Sequence, residues 1–393
     1  MKNRNSKNSI RIAYFAGSMK PGQDGVTRVL YRMIDNLNKN GVKHVFFSSI
    51  VPPLSECPTT MIEVPSVIFP LYKEYRFAVP GIKHFEYHLN SFKPDIIHIN
   101  SPCSLGFAAL KYGEKYDIPI VATYHTHFPS YAKYYKIKSL ESFGWSYLRS
   151  LYNKCERVYV PSIPVMKELL EHGFSTTTFL PHGVDTTVFN PSFKSVEWKK
   201  KIGIEGKHAL LFAGRLVWEK DLKILAETYK MINSERNDTA FVIAGEGPIR
   251  NELEQLMPEA VFLGYQNGID LSTTYASSDI FVFPSTTETF GNVTVEAMAS
   301  GIPSVCAKEG GAYGIIQDNI TGLLAEPRDA KDLAKKINYL LDNPKVRFSM
   351  SQKALEFSKE QTWENIFKQL YESYHEVIFG YQLHKNIKKK RAA

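Results

Sequence analysis

Cysteine is scarce in this chain. Its four copies, Cys57, Cys103, Cys155 and Cys306, form no Cys-x-x-Cys pair and no zinc-ligand spacing. That argues against a disulfide scaffold or a zinc ribbon and favours a reducing, cytoplasmic setting. Long apolar runs are missing too. None approaches the roughly 18 residues that cross a bilayer. The first ten residues are polar and basic, and no signal-like apolar segment follows them. No Gly-x-Gly-x-x-Gly occurs, which argues against a dinucleotide fingerprint. Acid is in deficit: 40 Asp and Glu stand against 48 Lys and Arg, a net charge of +8. Such a balance suits anionic partners, or serves only as solubilising charge. Part of the excess lies in Lys385–Arg391, which reads as a basic tail.

What is present is a long alternation of strand and helix patterns. A length of 393 residues and 44% apolar content allow two sizeable cores. Arg11–Gly17 reads as a buried strand ending in glycine. Thr27–Asn38 follows with helical spacing of Val29, Leu30, Met33, Ile34 and Leu37. After a polar connector at 191–205 the alternation restarts with Ala209–Arg215. Two long helices, near Ala330–Asn343 and Trp363–Phe379, close the chain. The expected fold class is α/β, with two doubly wound, Rossmann-like domains facing across a cleft. The expected boundaries are 1–190 and 206–362, then a helix at 363–380 crossing back to the first domain, then a tail at 381–393.

Chemistry-bearing residues fall on loops that follow strands, where doubly wound sheets bind ligands. In Glu288-Thr-Phe-Gly-Asn-Val-Thr-Val-Glu296, one carboxylate sits in a turn and the other about one turn into a helix. The opening of that helix, at Gly291 and Asn292, offers backbone N–H groups to a phosphate. The two carboxylates can accept hydrogen bonds from vicinal hydroxyls. Arg215 and Lys220 flank a glycine-marked loop, and two fixed cations can neutralise a diphosphate. Gly22 and Gly25 in the first loop, and Gly245 and Gly247 after another strand, let backbone approach a ligand. His125 and His127 lie at a strand end. A polar contact to a ligand, a structural role and metal ligation all remain open for them. Asp-x-Asp, with which many sugar-nucleotide enzymes hold a divalent cation, is absent. The expectation is therefore a metal-independent site with no cofactor.

In their order and spacing, several segments resemble the retaining glycosyltransferases of family 4, over about residues 10–378. They are Asp24–Arg28, His125–His127, Pro181–Phe189, Gly214–Lys220, Gly245–Pro248 and Glu288–Glu296. The resemblance implies the GT-B architecture and a nucleotide diphosphate sugar, GDP- or UDP-linked, held by the C-terminal domain. It implies that Arg215, Lys220 and the backbone of Gly291 and Asn292 take the diphosphate. Glu296 would take the ribose, and Glu288 the donor-sugar hydroxyls. His125 would lie near the reacting carbon. His125–Tyr135 and Glu288–Val293 are similar to a subgroup that glycosylates lipids, including GDP-mannose-dependent α-mannosyltransferases and sulfoquinovosyl-diacylglycerol synthases. Asp24 stands where asparagine is frequent in that subgroup, so donor and acceptor stay open. The implied reaction moves a hexose, such as mannose, to a lipid or glycan acceptor in α-linkage. Aromatic and basic residues interleave from Tyr131 to Arg149. That stretch reads as an anionic-membrane surface or as an ordinary solvated helix. A peripheral protein on the inner face of the membrane is the matching localisation. An epimerase or hydrolase on the same fold, and a nucleotide- or nucleic-acid-binding protein, are the competing readings. Nucleic acid is not an expected partner, because no basic-aromatic RNA signature accompanies the tail.

Overall fold

The structure is a computed structural model that describes residues 10–22, 25–68, 76–79, 82–127 and 138–392. Two expectations therefore fall outside the described residues: Asp24 in the first loop, and residues 131–137 at the start of the aromatic-basic stretch. Among the described residues, nine strands precede residue 180. They are β1 (Arg11–Ala16), β2 (Lys43–Ser48), β3 (Met61–Glu63), β4 (Ser66–Ile68), β5 (Arg76–Ala78), β6 (Ile96–Ile99), β7 (Ile120–Thr123), β8 (Arg157–Val160) and β9 (Thr177–Phe179). Seven form a parallel sheet in the order β3-β2-β1-β6-β7-β8-β9, while β4 and β5 pair as a short antiparallel ribbon. Six more strands build a second parallel sheet: β10 (His208–Ala213), β11 (Thr239–Ala244), β12 (Val261–Gly264), β13 (Ile280–Phe283), β14 (Ser304–Ala307) and β15 (Gly322–Ala325). Its order is β12-β11-β10-β13-β14-β15.

The apolar runs are continuous because each central strand is covered on both faces. In β1, Ala13 and Phe15 pack into one core, and Ile12, Tyr14 and Ala16 into the other. This is the period-two alternation of a strand buried twice. Each sheet reverses its winding once, between β1 and β6 in the first and between β10 and β13 in the second. The loops after these strands are where a doubly wound sheet opens its ligand crevice.

The two halves are joined twice. Val184 and Phe189 already pack with the second core. The chain then returns alongside itself: Val184 bridges Thr362, and its N–H donates to Gln361 O at 2.7 Å. Gly183 is small for a reason here, since a Cβ would stand 2.5 Å from Trp363 N. The last helix then lies against the first sheet, burying Phe367, Leu370, Tyr374 and Val377 with Ile12, Tyr14 and Ile96. Tyr374 shares hydrogen bonds with His98 and Tyr14, and Ser373 with Arg157 and Tyr159.

Several element expectations need correction. Residues 191–205 are not a plain connector, since Val196–Lys201 is helical and seats Trp198 in the second core. A further helix, Pro344–Glu360, stands between the two read from sequence. It buries only Met350, Ala354 and Ser358, too few to make a visible stripe. The final helix continues through Ala392 instead of ending near 380. Tyr381 and Lys385 fasten that extension to Asp117.

Candidate active site

The loops after β10 and β13 are stitched together by a buried carboxylate. Asp221 adopts a left-handed conformation, with φ of 54°, at the start of helix Leu222–Glu235. Its Oδ2 accepts hydrogen bonds from Thr286 N at 2.9 Å and Thr286 Oγ1 at 2.7 Å. Burial raises the Asp221 pKa, and the Thr286 bonds and Arg328 oppose that rise. Thr287 Oγ1 donates to Glu219 O at 2.8 Å. Lys220 and Glu288, on either side of these bonds, form an ion pair with side chains 17% and 19% exposed. The expected diphosphate cation and the expected hydroxyl acceptor are thus direct neighbours.

Gly291, with φ of 95°, caps the helix Asn292–Ala299 without a side chain. A glycine suits this left-handed position, and it leaves the first-turn amides to a ligand. Glu296, one turn in, accepts from Tyr275 Oη at 3.0 Å. Burial raises its pKa, while Arg28, Tyr275 and Arg32 pull it back. It borders a cleft of about 200 Å³ between the two halves, together with Arg28, Asp185, Gln266, Asn267 and Asn292. Gly25 opens the helix Gly25–Lys39 from the other side, and a Cβ there would lie 3.9 Å from Asn292 Nδ2. Two helix N-termini therefore meet across the cleft, each the positive end of a helix dipole.

His125 is buried beside them. Its Nε2 pairs with Asn100 Oδ1 at 3.1 Å, and its carbonyl accepts from Thr289 Oγ1 at 2.9 Å across the domain interface. Burial, with His182 and His98 nearby, drives its pKa well below the ordinary value, so the ring is neutral. His182 pairs through Nδ1 with Asn292 Oδ1 at 2.9 Å, and burial lowers its pKa to about 4. Among the described residues, His125 Nδ1, His182 Nε2 and Asn100 Nδ2 are buried polar atoms without a hydrogen-bond partner. Such atoms are costly to leave unpaired, and these three belong to neighbouring side chains. His182 and Asn100 were not singled out in the sequence. The only signal for His182 was its place in Pro181-His-Gly-Val-Asp185.

The remaining residues expected from sequence have different surroundings. His127 is satisfied by Tyr124 Oη at 2.8 Å and Glu168 at 3.1 Å, so it reads as a structural histidine. No group of three His, Cys, Asp or Glu suited to a metal occurs among the described residues. Arg215 lies on the exposed rim after β10. Gly245 and Gly247 face neighbouring backbone: a Cβ would fall 1.9 Å from Gly214 O and 2.1 Å from Leu216 O. Their smallness lets the loop carrying Arg215 pack against the end of β11.

Two facing doubly wound domains, with a cation, two carboxylates and two helix N-termini at their switch points, define a nucleotide-sugar type of site. Comparison with known proteins places it further. Residues 23–188 match the family described as Glycosyltransferase Family 4, and residues 194–357 the one described as Glycosyl transferases group 1. The GDP-mannose-dependent alpha-mannosyltransferase of Corynebacterium glutamicum is 33% identical over 376 residues, 94% of this chain and 89% of that protein. The sulfoquinovosyl transferase of Arabidopsis thaliana is 37% identical over 283 residues, 69% of this chain and 54% of that longer protein. Among solved structures, the sucrose-phosphate synthase of Thermosynechococcus elongatus shares the fold. Its TM-score is 0.77 at 20% identity, covering 94% of this chain and 100% of that one. The chain belongs to glycosyltransferase family 4 and is a GT-B enzyme that uses a nucleotide sugar.

Proposed function

We propose that this glycosyltransferase moves mannose from GDP-mannose to a lipid acceptor at an anionic membrane surface, keeping the α configuration and using no metal. The observation that carries the reading is the Lys220–Glu288 pair set beside the glycine-capped start of helix Asn292–Ala299. The likeness to the mannosyltransferase over nearly the whole chain supports the donor.

The donor diphosphate lies on the amides of Gly291 and Asn292, with Lys220 and Arg215 neutralising it. Gly25 lets the opposing helix start come close, and Gly245 and Gly247 hold the Arg215 loop in place. With its charge drawn to the diphosphate, Lys220 leaves Glu288 to accept hydroxyls of the donor sugar. Glu296 takes the ribose hydroxyls. Neutral His125 hydrogen-bonds the sugar near its anomeric carbon. The bond from that carbon to the phosphate oxygen breaks as the acceptor oxygen adds on the same face. The departing phosphate oxygen takes the acceptor's proton, so no separate protein base is needed. Fixed N–H groups and cations stabilise the leaving charge by preorganisation.

The test starts with thermal shifts in GDP, UDP and ADP, since a ligand of the native state raises apparent stability. A shift confined to GDP is expected. Labelled GDP-mannose with lipid extract and EDTA should then yield a solvent-extractable product. A shift with UDP alone overturns the donor, label only in water-soluble product overturns the acceptor, and loss in EDTA overturns metal independence.

A further inference from the structure

The last helix changes character after Val377. Up to that point its apolar residues are buried against the first sheet. Phe379, Leu383 and Ile387 follow at intervals of four and are 69%, 49% and 40% exposed. Residues four apart share one face of a helix. The opposite face is the one tied down. Tyr381 Oη donates to Asp117 Oδ1 at 2.9 Å, Lys385 pairs with the same carboxylate, and these two residues are again four apart. Two positions along a helix turn it by about 200°, so fastening Tyr381 and Lys385 to the body presents Phe379, Leu383 and Ile387 outward.

Along the chain from Phe379 onward the charge has one sign. From Phe379 to Ala393 there is no Asp or Glu, and there are five Lys and Arg: Lys385, Lys388, Lys389, Lys390 and Arg391. We propose that the end of this helix is a membrane-docking face that lies flat on an anionic bilayer, its three apolar side chains in the headgroup region. An apolar stripe flanked by basic residues binds such a surface by both area and charge. A second copy of the stripe would bring two copies of the basic run Lys388–Arg391 together, and a nucleic acid would leave the apolar residues in water. Because the same helix packs on the first sheet, docking brings the N-terminal domain to the bilayer. That inference deepens the proposed function and rests on its lipid acceptor.

The test is co-sedimentation of the full chain with vesicles. One set is phosphatidylcholine alone, and the other is equal parts phosphatidylcholine and phosphatidylglycerol. Binding to the mixed vesicles is expected. The variant Leu383→Glu/Ile387→Glu should lower it at least about tenfold by loss of apolar burial. The variant Lys388→Gln/Lys389→Gln/Lys390→Gln should lower it about a hundredfold. Both should keep the wild-type thermal midpoint and wild-type transfer to detergent-dispersed lipid. Equal vesicle binding by wild type and both variants overturns the proposal. So does a dimer in sedimentation velocity that only the Leu383/Ile387 variant loses, because the stripe is then a self-interface. If vesicle binding depends on the stripe but the wild type labels no lipid, the acceptor reading fails and the docking face stands.

Discussion

Replacing Lys220 by alanine removes the ammonium from a pair whose two side chains are each about four-fifths buried. An exposed pair is worth roughly 0.2–1 kcal/mol, and breaking a fully buried one costs about 3–5 kcal/mol. The position between these limits sets a loss of about 2 kcal/mol in the unliganded protein, mostly the penalty of leaving Glu288 unpaired. For a domain of this size that is roughly a 4–8 °C drop in thermal midpoint. Glu288→Ala should cost less, because an unpaired lysine can extend into solvent. The double variant should recover part of the loss, with a coupling of about 1 kcal/mol. Turnover should respond differently. Lys220→Ala should lower kcat by about 10²–10³, the usual effect of removing one donor that stabilises developing charge. Glu288→Ala should lower kcat while GDP affinity stays within about threefold, since in the proposed complex it meets the sugar and not the nucleotide. The assays are thermal unfolding of all four proteins, GDP titration, and initial rates with labelled donor. Additive stabilities, together with a Lys220→Ala kcat within tenfold of wild type, would refute the reasoning.

Three further outcomes follow from the same site. Glu296→Gln should weaken GDP binding about 10–100-fold, the worth of hydrogen bonds to a charged acceptor. It should also raise stability at neutral pH. The Glu296 pKa is raised in the fold, so wild type loses stability as pH climbs through that raised value, and the gap between variant and wild type should close near pH 4.5. His98 and His182 are held neutral by burial, with pKa values of about 3 and about 4. Above pH 6.5 they are neutral whether folded or unfolded. Below it only the unfolded chain gains protons, so the thermal midpoint should fall steadily from pH 6.5 to pH 4. A flat midpoint over that range contradicts the buried neutral rings. Gly247→Ala should destabilise by about 1–3 kcal/mol through overpacking against Leu216 O and should weaken GDP binding with it. A variant of wild-type stability with impaired binding would instead make Gly247 a direct ligand contact.

The strands were legible because a doubly covered parallel strand must be apolar throughout. Arg11–Ala16, His208–Ala213 and Thr239–Ala244 announce themselves, and glycines mark where each opens into a loop. Helix Gly25–Lys39 was legible because its buried positions repeat on one face. Helix Pro344–Glu360 was not, since its few buried residues leave a faint pattern. The extension to Ala392 was missed because composition marked it as a tail, whereas contacts to Asp117 made it a helix.

The same division holds at the site. Residue types and local spacing by themselves singled out Glu288, Glu296, Arg215, Lys220 and the helix start at Gly291 as candidates, because a turn that opens a helix is a local event. Only the tertiary structure set Lys220 against Glu288, 68 positions apart, and His182 against Asn292, 110 positions apart. It alone showed that Gly245 and Gly247 make room for neighbouring backbone. It alone found Asp221 as the clamp between the two loops. Those facts depend on which surfaces meet when two sheets fold and face each other, and a pairing across that distance leaves no periodicity in the chain.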